Sequence, residues 1–564
     1  MSRLAARLPI VLFGSVPLIV VVALLGTIGF QAVGSSDNLA QVSLGNFREV
    51  FSDPFIWQAT LNTFVFSTVA IITSLCISTP LAWIAERTDL KGRGVILPTM
   101  TLGLLVPGFA TAMGWLVLLH DRIGILTRAM SNALQIDSFP VSVNNVVGMG
   151  VVQGFSLSGL MFIMIASSFR AMDPALEESA EAHGLNLRTR LRKITFPLMW
   201  PSILAASLYT FTVAFGAFDI PAVIGMGSDI FVFSTLLYEQ VRPEGGIPRH
   251  DLAAATSFLV FSLALLLSAW YLHVIKQASR YSVVTGKGYR PKLYQMSGIQ
   301  TAVSWTFIVA SVFLIGGLPF IALVWASLNK YFVFPTVAAL SGLNLDAYRA
   351  LDASFIGPAV RNTILLVLVA PTITVCFCLA ISWVVVRSKI RGVSEAFDVL
   401  AFLPHALPNI ILAVGALIIG LYWVPHWIPF YGTLNILLTV YVVSWLGLGT
   451  RVYNSAFLQI HKDIDEAGSA FGLSKMMVLR KILLPLIIPA ILYTWIWIAL
   501  LAYRELTVAA FLASKDNVVL STFIWQQWQQ ESSRGAALTV VMILGMTPLI
   551  LVYFWAGNKM AAPK

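Results

Sequence analysis

A chain of 564 residues that is 58% hydrophobic and only 11% charged is not a set of water-soluble domains, which carry roughly 25% charged residues. Its apolar surplus calls for a bilayer as solvent. The formal charge of +10 would suggest nucleic acid in a soluble protein, but here Lys and Arg sit in short loops between apolar runs and read as topogenic charge.

About 20 apolar residues are needed to cross the hydrocarbon layer. Such runs fall at 9–30, 62–85, 95–119, 146–169, 198–218, 252–275, 302–329, 362–386, 399–422, 432–450, 486–503 and 535–557. Twelve spans are therefore expected. Arg3 and Arg7 precede the first run, which is long for a signal peptide and lacks a clear small-x-small cleavage site, so an uncleaved first helix is expected. Most of the 36 Lys and Arg lie in the tails and in the loops near 86–94, 170–197, 276–301, 387–398 and 451–485. The positive-inside rule places that side, and both termini, in the cytoplasm. Cys76, Cys376 and Cys378 lie in apolar runs, and neither they nor the scattered histidines form a metal or disulfide pattern.

The chain is written twice. Phe55-Ile-Trp-Gln-Ala-Thr-Leu-Asn-Thr63 recurs as Phe355-Ile-Gly-Pro-Ala-Val-Arg-Asn-Thr363, and Trp83 and Arg87 recur as Trp383 and Arg387, at an offset of 300. Further on the offset is 288: Glu178, Gly184, Ile194 and Pro197 recur as Glu466, Gly472, Ile482 and Pro485. The first half must be longer between these blocks, and the loop around 120–145 is the expected place. Six spans per half is an even number, so the halves insert in parallel, related by an axis along the membrane normal. The halves are expected to be 1–285 and 286–564, joined through a basic linker with Lys276, Arg280, Lys287, Arg290 and Lys292.

After its fourth span each half carries one unusual loop. The first reads Glu178-Ser179-Ala180-Glu-Ala-His-Gly184, nine residues, then Ile194-Thr-Phe-Pro197. The second reads Glu466-Ala467-Gly468-Ser-Ala-Phe-Gly472, nine residues, then Ile482-Leu-Leu-Pro485. Glu, Ala and Ser suit a short helix, and each Gly falls where a C-cap turn belongs. This resembles the EAA loop of permeases of binding-protein-dependent ABC importers, with Ser179 and Gly468 in place of Ala and Phe196 in place of Leu. The fused two-half form, and the segments Phe-Asp219-Ile-Pro-Ala and Arg504-Glu505-Leu-Thr, are similar to the ferric-iron group of that family.

The resemblance implies an all-α membrane fold of about twelve helices in two parallel six-helix repeats, the type I importer architecture. It implies that the paired loops dock two copies of a cytoplasmic ABC ATPase, that a periplasmic or surface solute-binding protein delivers the solute, and that the chain lies in the bacterial inner membrane. No Gly-x4-Gly-Lys-Ser/Thr phosphate loop occurs, so ATP is expected to be used by the partner; no cofactor, catalytic residue, metal site or nucleic-acid contact is expected of this chain. Asp219, Arg504 and Glu505, close to span ends, are candidate gate or pore residues, with helix-end or structural pairing the alternative. Ferric iron is the expected solute; thiamine, a phosphonate or a polyamine fits the same architecture. A gradient-driven carrier also has twelve spans in two halves, but would need mid-span charges and leaves the twin loops unexplained.

Overall fold

The computed structural model describes residues 8–34, 42–137, 139–173, 175–243, 245–278, 293–388, 392–425, 427–461, 463–473 and 475–561. Arg3, Arg7, the boundary at 285/286 and most of the basic linker lie outside them. Every named element among the described residues is helical. A bilayer cannot hydrogen-bond the backbone, so spanning segments satisfy it internally.

Among the described residues, nine unbroken helices are long and apolar enough to cross: Leu8–Val33, Pro54–Arg87, Val146–Ala171, Leu187–Phe215, His250–Tyr271, Gly298–Ser327, Ala353–Arg387, Leu479–Arg504 and Ser532–Tyr553. Four further segments are bent pairs. The runs expected as straight spans at 95–119 and 399–422 are broken, by 90° between Arg93–Leu105 and Gly108–Leu119 and by 101° between Val393–Ala406 and Asn409–Trp423. The breaks fall at Val106-Pro107 and Leu407-Pro408, where the proline ring and missing N–H interrupt the helical ladder. The run at 432–450 is the start of a longer pair, Leu434–Ser444 with Leu446–Gln459, bent by 42°. A fourth pair, Pro221–Ser228 with Phe233–Val241 at 74°, was not among the expected spans. The span expected at 486–503 is a full helix that ends on Arg504.

The extra length of the first half sits where the offset change placed it. Val146–Ala171 is separated from the preceding helix by a segment carrying the additional helix Ile125–Leu134, whereas the second half passes from Trp423 to Leu434 without one.

Paired hydrogen bonds explain why the first repeat block ends in Asn-Thr. Asn62 Nδ2 donates to Phe231 O (2.9 Å) and Thr63 Oγ1 accepts from Phe233 N (2.7 Å). In the second half Asn362 Nδ2 donates to Val518 O (3.0 Å) and Thr363 Oγ1 accepts from Leu520 N (2.8 Å). Each pair holds the start of a short buried helix, Phe233–Val241 or Leu520–Gln530, whose first amides have no intrahelical partner.

Each half lends its first helix to the other. Leu8–Val33 packs on the second half, with Phe13 stacked on Phe377 (4.7 Å) and Phe30 edge-on to Trp423 (5.5 Å). Gly298–Ser327 crosses the first half at Gly114, where an added Cβ would lie 2.4 Å from Pro319 O. The matching crossing is at Gly415, where a Cβ would lie 2.6 Å from Leu24 O. Only glycine permits backbone approach this close.

Candidate functional site

A cavity of about 470 Å³ lies between the halves. Both proline breaks reach it, through Leu104, Leu105 and Gly108 on one side and Ala406, Leu407, Pro408 and Asn409 on the other. Asp219, Arg504 and Glu505 all line it, so two distant parts of the sequence, one from each half, come together.

Their partners fix their positions. Thr507 Oγ1 donates to Asp219 Oδ1 at 3.1 Å. At the offset of 288, Thr507 is the repeat equivalent of Asp219, so these residues face one another where the axis between the halves passes. Arg504 Nη1 donates to Leu104 O (2.5 Å) and Val106 O (3.1 Å). These carbonyls are freed by the break at Pro107, so a guanidinium from the second half satisfies backbone that the first half leaves open. The Glu505 carboxylate accepts from Val508 N (3.0 Å), Ala509 N (3.3 Å) and the Tyr441 hydroxyl (3.3 Å), sitting at the start of the helix Thr507–Leu512. Behind it, Ser521 Oγ donates to Glu505 O (2.5 Å), as Ser234 Oγ does to Ala217 O (2.6 Å) in the first half. Ser234-Thr235 and Ser521-Thr522, matched between the halves at an offset of 287, therefore close the same turn twice.

Four rings gather beside this polar group. Phe218, Tyr238, Phe511 and Trp525 contact one another at 5.3–5.8 Å between centroids, mostly edge-to-face. Two come from each half, and aromatic residues pack well in this geometry. Arg242 ties the rim across the halves, donating to Phe511 O (3.1 Å) and to Ala513 O. Elsewhere on the wall Tyr209 OH and His405 Nε2 lie 3.0 Å apart. These aromatic and tyrosine–histidine contacts were missed in the sequence; the match of Ser234-Thr235 to Ser521-Thr522, at an offset of 287, would have carried Tyr238 to Trp525.

The two loops form the second part of the site. Glu178, Ser179 and Ala180 lie on the helix Ala175–Ala182, and Glu466, Ala467 and Gly468 on Asp463–Ala470; the side chain of Glu466 lies outside the described residues. Gly184 and Gly472 have φ of +77° and +76°, the left-handed turn that glycine adopts freely. Leu185 N then donates to Ala180 O (3.1 Å) and Leu473 N to Gly468 O (3.0 Å), the six-residue closure of a Schellman turn. Ile194 falls in a widened turn, Leu191–Thr195, and Ile482 in its match, Leu479–Leu483; Pro197 and Pro485 open the helices that follow. Gly468, the departure from alanine, has a reason: a Cβ there would meet Val478 Cγ2 at 2.7 Å.

Arg87 and Arg387, picked out only as repeat markers, secure these loops. Arg87 Nη2 donates to Phe169 O and Met172 O, both at 3.0 Å. Arg387 Nη2 donates to Phe457 O and Ile460 O, both at 2.8 Å. Each arginine thus closes the C-terminal end of the helix leading into its loop. In the first half Arg87 also pairs with Glu177 (3.6 Å), which accepts from Thr195 Oγ1 (2.5 Å).

These features define an integral membrane protein whose halves enclose a central cavity with charged residues on its wall and present twin loops on one face. The family model of the binding-protein-dependent transport system inner membrane component matches residues 78–280 and again 377–560, and the chain belongs to that family, as a permease of the ABC transporter class. Among relatives, it is 25% identical over 501 residues to the ferric transport system permease protein FbpB of Actinobacillus pleuropneumoniae, covering 85% of this chain and 68% of that one. It is 24% identical over 480 residues to a probable ABC transporter permease protein of Sinorhizobium fredii, covering 82% and 80%. Over 238 residues, 41% of this chain, it is 24% identical to the trehalose/maltose transport system permease protein MalF of Thermococcus litoralis, covering 79% of it.

Proposed function

We propose that this chain is the transmembrane permease subunit of an ATP-driven importer in a bacterial inner membrane, and that it carries ferric iron or a small ferric complex to the cytoplasm. The observation that carries the ATP-driven reading is the pair of docking loops. Each is a short helix closed by a left-handed glycine, anchored by an arginine and exposed at its tip. Phe471 is 87% exposed on one loop and Leu176 51% on the other; apolar groups left outside the bilayer on both loops suit a protein partner. Two loops suit two copies of a cytoplasmic ATPase. A solute-binding protein then meets the opposite face, both termini lie in the cytoplasm, and the four-ring cluster with Asp219, Arg504 and Glu505 is the gate between that face and the cavity.

The iron assignment rests on the long match to a ferric permease and is supported by a cavity lined by two carboxylates and one guanidinium. Transit needs weak sites, because a tight cage would hold the ion. The test is uptake of labelled ferric iron in cells lacking the gene and after its return, with thiamine, a phosphonate, a polyamine and trehalose as parallel solutes. Restored iron uptake is expected. Unchanged iron uptake with a defect in another solute rejects iron and keeps the permease; ATP hydrolysis by the purified chain alone rejects the partner-driven reading.

A further inference from the structure

A second cavity, of about 290 Å³, lies behind the broken helix of the first half. Its lining is Thr99, Gly103, Val106, Ala110 and Thr111 from the two arms of the break, facing Gly316 and its neighbours on the crossing helix Gly298–Ser327. Its hydroxyls ask for no ligand: Thr99 Oγ1 donates to Val95 O (2.8 Å) and Thr111 Oγ1 to Pro107 O (3.4 Å). Apolar side chains on the same two helices continue outward from it, with Leu97 40%, Val309 61% and Phe313 44% exposed. They lie on spanning helices, so the medium they meet is hydrocarbon.

The two repeats show that this space is particular to the first half. The breaks align at an offset of 301, through Pro107 with Pro408 and Gly114 with Gly415. The crossing helices align at 295, through Pro319 against Gly114 and Leu24 against Gly415. On that register Ala110, Thr111 and Gly316 correspond to Ile411, Leu412 and Val21. Those three larger side chains are each 0% exposed and occupy the equivalent volume. The first half has small residues at all three places, and an added Cβ at Gly316 would meet nothing within 4 Å. Interiors are otherwise packed as densely as organic crystals, so an apolar space of this size open to hydrocarbon is filled from the bilayer.

We infer that this pocket is a binding site for one phospholipid acyl chain, seated behind the Val106-Pro107 break. The position gives it a consequence. Val106 lines the pocket, while its carbonyl accepts from Arg504 and its neighbours Leu104 and Leu105 line the central cavity. The chain therefore braces the outer side of a wall whose inner side faces the solute path. No such brace is needed in the second half, where the protein's own side chains supply it.

The experiment uses the full chain in nanodiscs containing a phospholipid with a photoreactive group midway along one acyl chain. After irradiation, labelled peptides are mapped by mass spectrometry. Labelling of 95–119 and 305–327 should exceed, several-fold, that of the bilayer-facing surface around Leu365 and Leu368. The triple variant Ala110→Ile, Thr111→Leu and Gly316→Val, which copies the second half, should lower it to that reference level. Gly316→Leu alone is the check if the triple variant folds poorly, since its added side chain starts in open space. Labelling at the reference level in the wild type, equal labelling in a folded filled variant, or cross-links from this pocket to a second protein copy would each overturn the assignment. None of these outcomes depends on which solute is carried.

Discussion

Replacing Arg87 by methionine should loosen the first docking loop from the spans. The Arg87 side chain is 7% exposed and donates to Phe169 O and Met172 O at 3.0 Å each. Hydrogen bonds to charged groups contribute about 1.5–3 kcal/mol each. Two such bonds, with carbonyls at a helix end that water can partly reclaim, set a loss of about 3 kcal/mol for Arg87→Met. Methionine keeps the length of the stem, so the change isolates the guanidinium from packing. Glu177 also loses its ion pair and keeps only the Thr195 hydroxyl. Hydrogen exchange should rise at 169–184 while the amides of Pro54–Arg87 stay protected, and uptake should fall. Arg87→Lys should sit between the two, because an ammonium lacks the planar fork. Unchanged exchange at 169–184 together with unchanged uptake in Arg87→Met would refute the anchoring role.

Gly114→Ala should destabilise the chain by about 1–3 kcal/mol, the cost of overpacking, because its Cβ would strike the Pro319 backbone; Gly26→Ala, with nothing within 4 Å, is the neutral control, and equal melting of the two in detergent would count against the crossing. Gly184→Asp and Gly472→Asp place a side chain on a left-handed backbone at about 1–2 kcal/mol and should reduce recovery of the ATPase with the purified chain while leaving membrane insertion intact. For pH, the hydrogen bonds from Arg249 (2.6 and 2.7 Å) hold the Glu49 carboxyl below its ordinary value, against a smaller opposing effect of burial. A depressed folded pKa contributes stability above the ordinary carboxylate range, lost as pH falls through the folded value. The melting difference between wild type and Glu49→Gln should therefore be small but present near neutrality and be lost as pH falls through and below the ordinary carboxylate range.

Most of the spans, the tandem repeat and the loop geometry were legible in the sequence, because each leaves a local trace: hydropathy, an offset, or a Gly at fixed distance from a Glu; twelve spans were expected, and the described residues hold nine unbroken ones and four bent pairs. The breaks at Val106-Pro107 and Leu407-Pro408 were not, because the hydropathy runs through them unbroken and membrane helices often absorb proline. The crossing of Leu8–Val33 and Gly298–Ser327 onto opposite halves leaves no sign in hydropathy at all, since a helix is equally apolar beside either neighbour. Asp219, Arg504 and Glu505 were noticed as unusual, but their meeting required knowing that the axis passes between Asp219 and Thr507.

That axis explains what a fused chain can do that two identical subunits cannot. Residues on a twofold axis face their own copies. In a dimer of first halves, Asp219 would oppose a second carboxylate, and like charges that close disfavour joint ionisation. Here the opposite place is Thr507, which donates a hydrogen bond instead. One register earlier, Arg504 stands where the first half has Gly216, and Glu505 where it has Ala217. Tyr209 answers Trp497 at the offset of 288, and His405 answers Leu104 at 301, so both polar members of that contact lie on one wall. The centre of the molecule has thus been free to diverge into a single guanidinium, two unlike carboxylates and a one-sided tyrosine–histidine contact. The arginine anchors, the left-handed glycines and the widened turns at the loops keep the same geometry in both halves. Divergence at the cavity beside repetition at the loops is the pattern expected when one asymmetric solute path is driven through two identical docking sites.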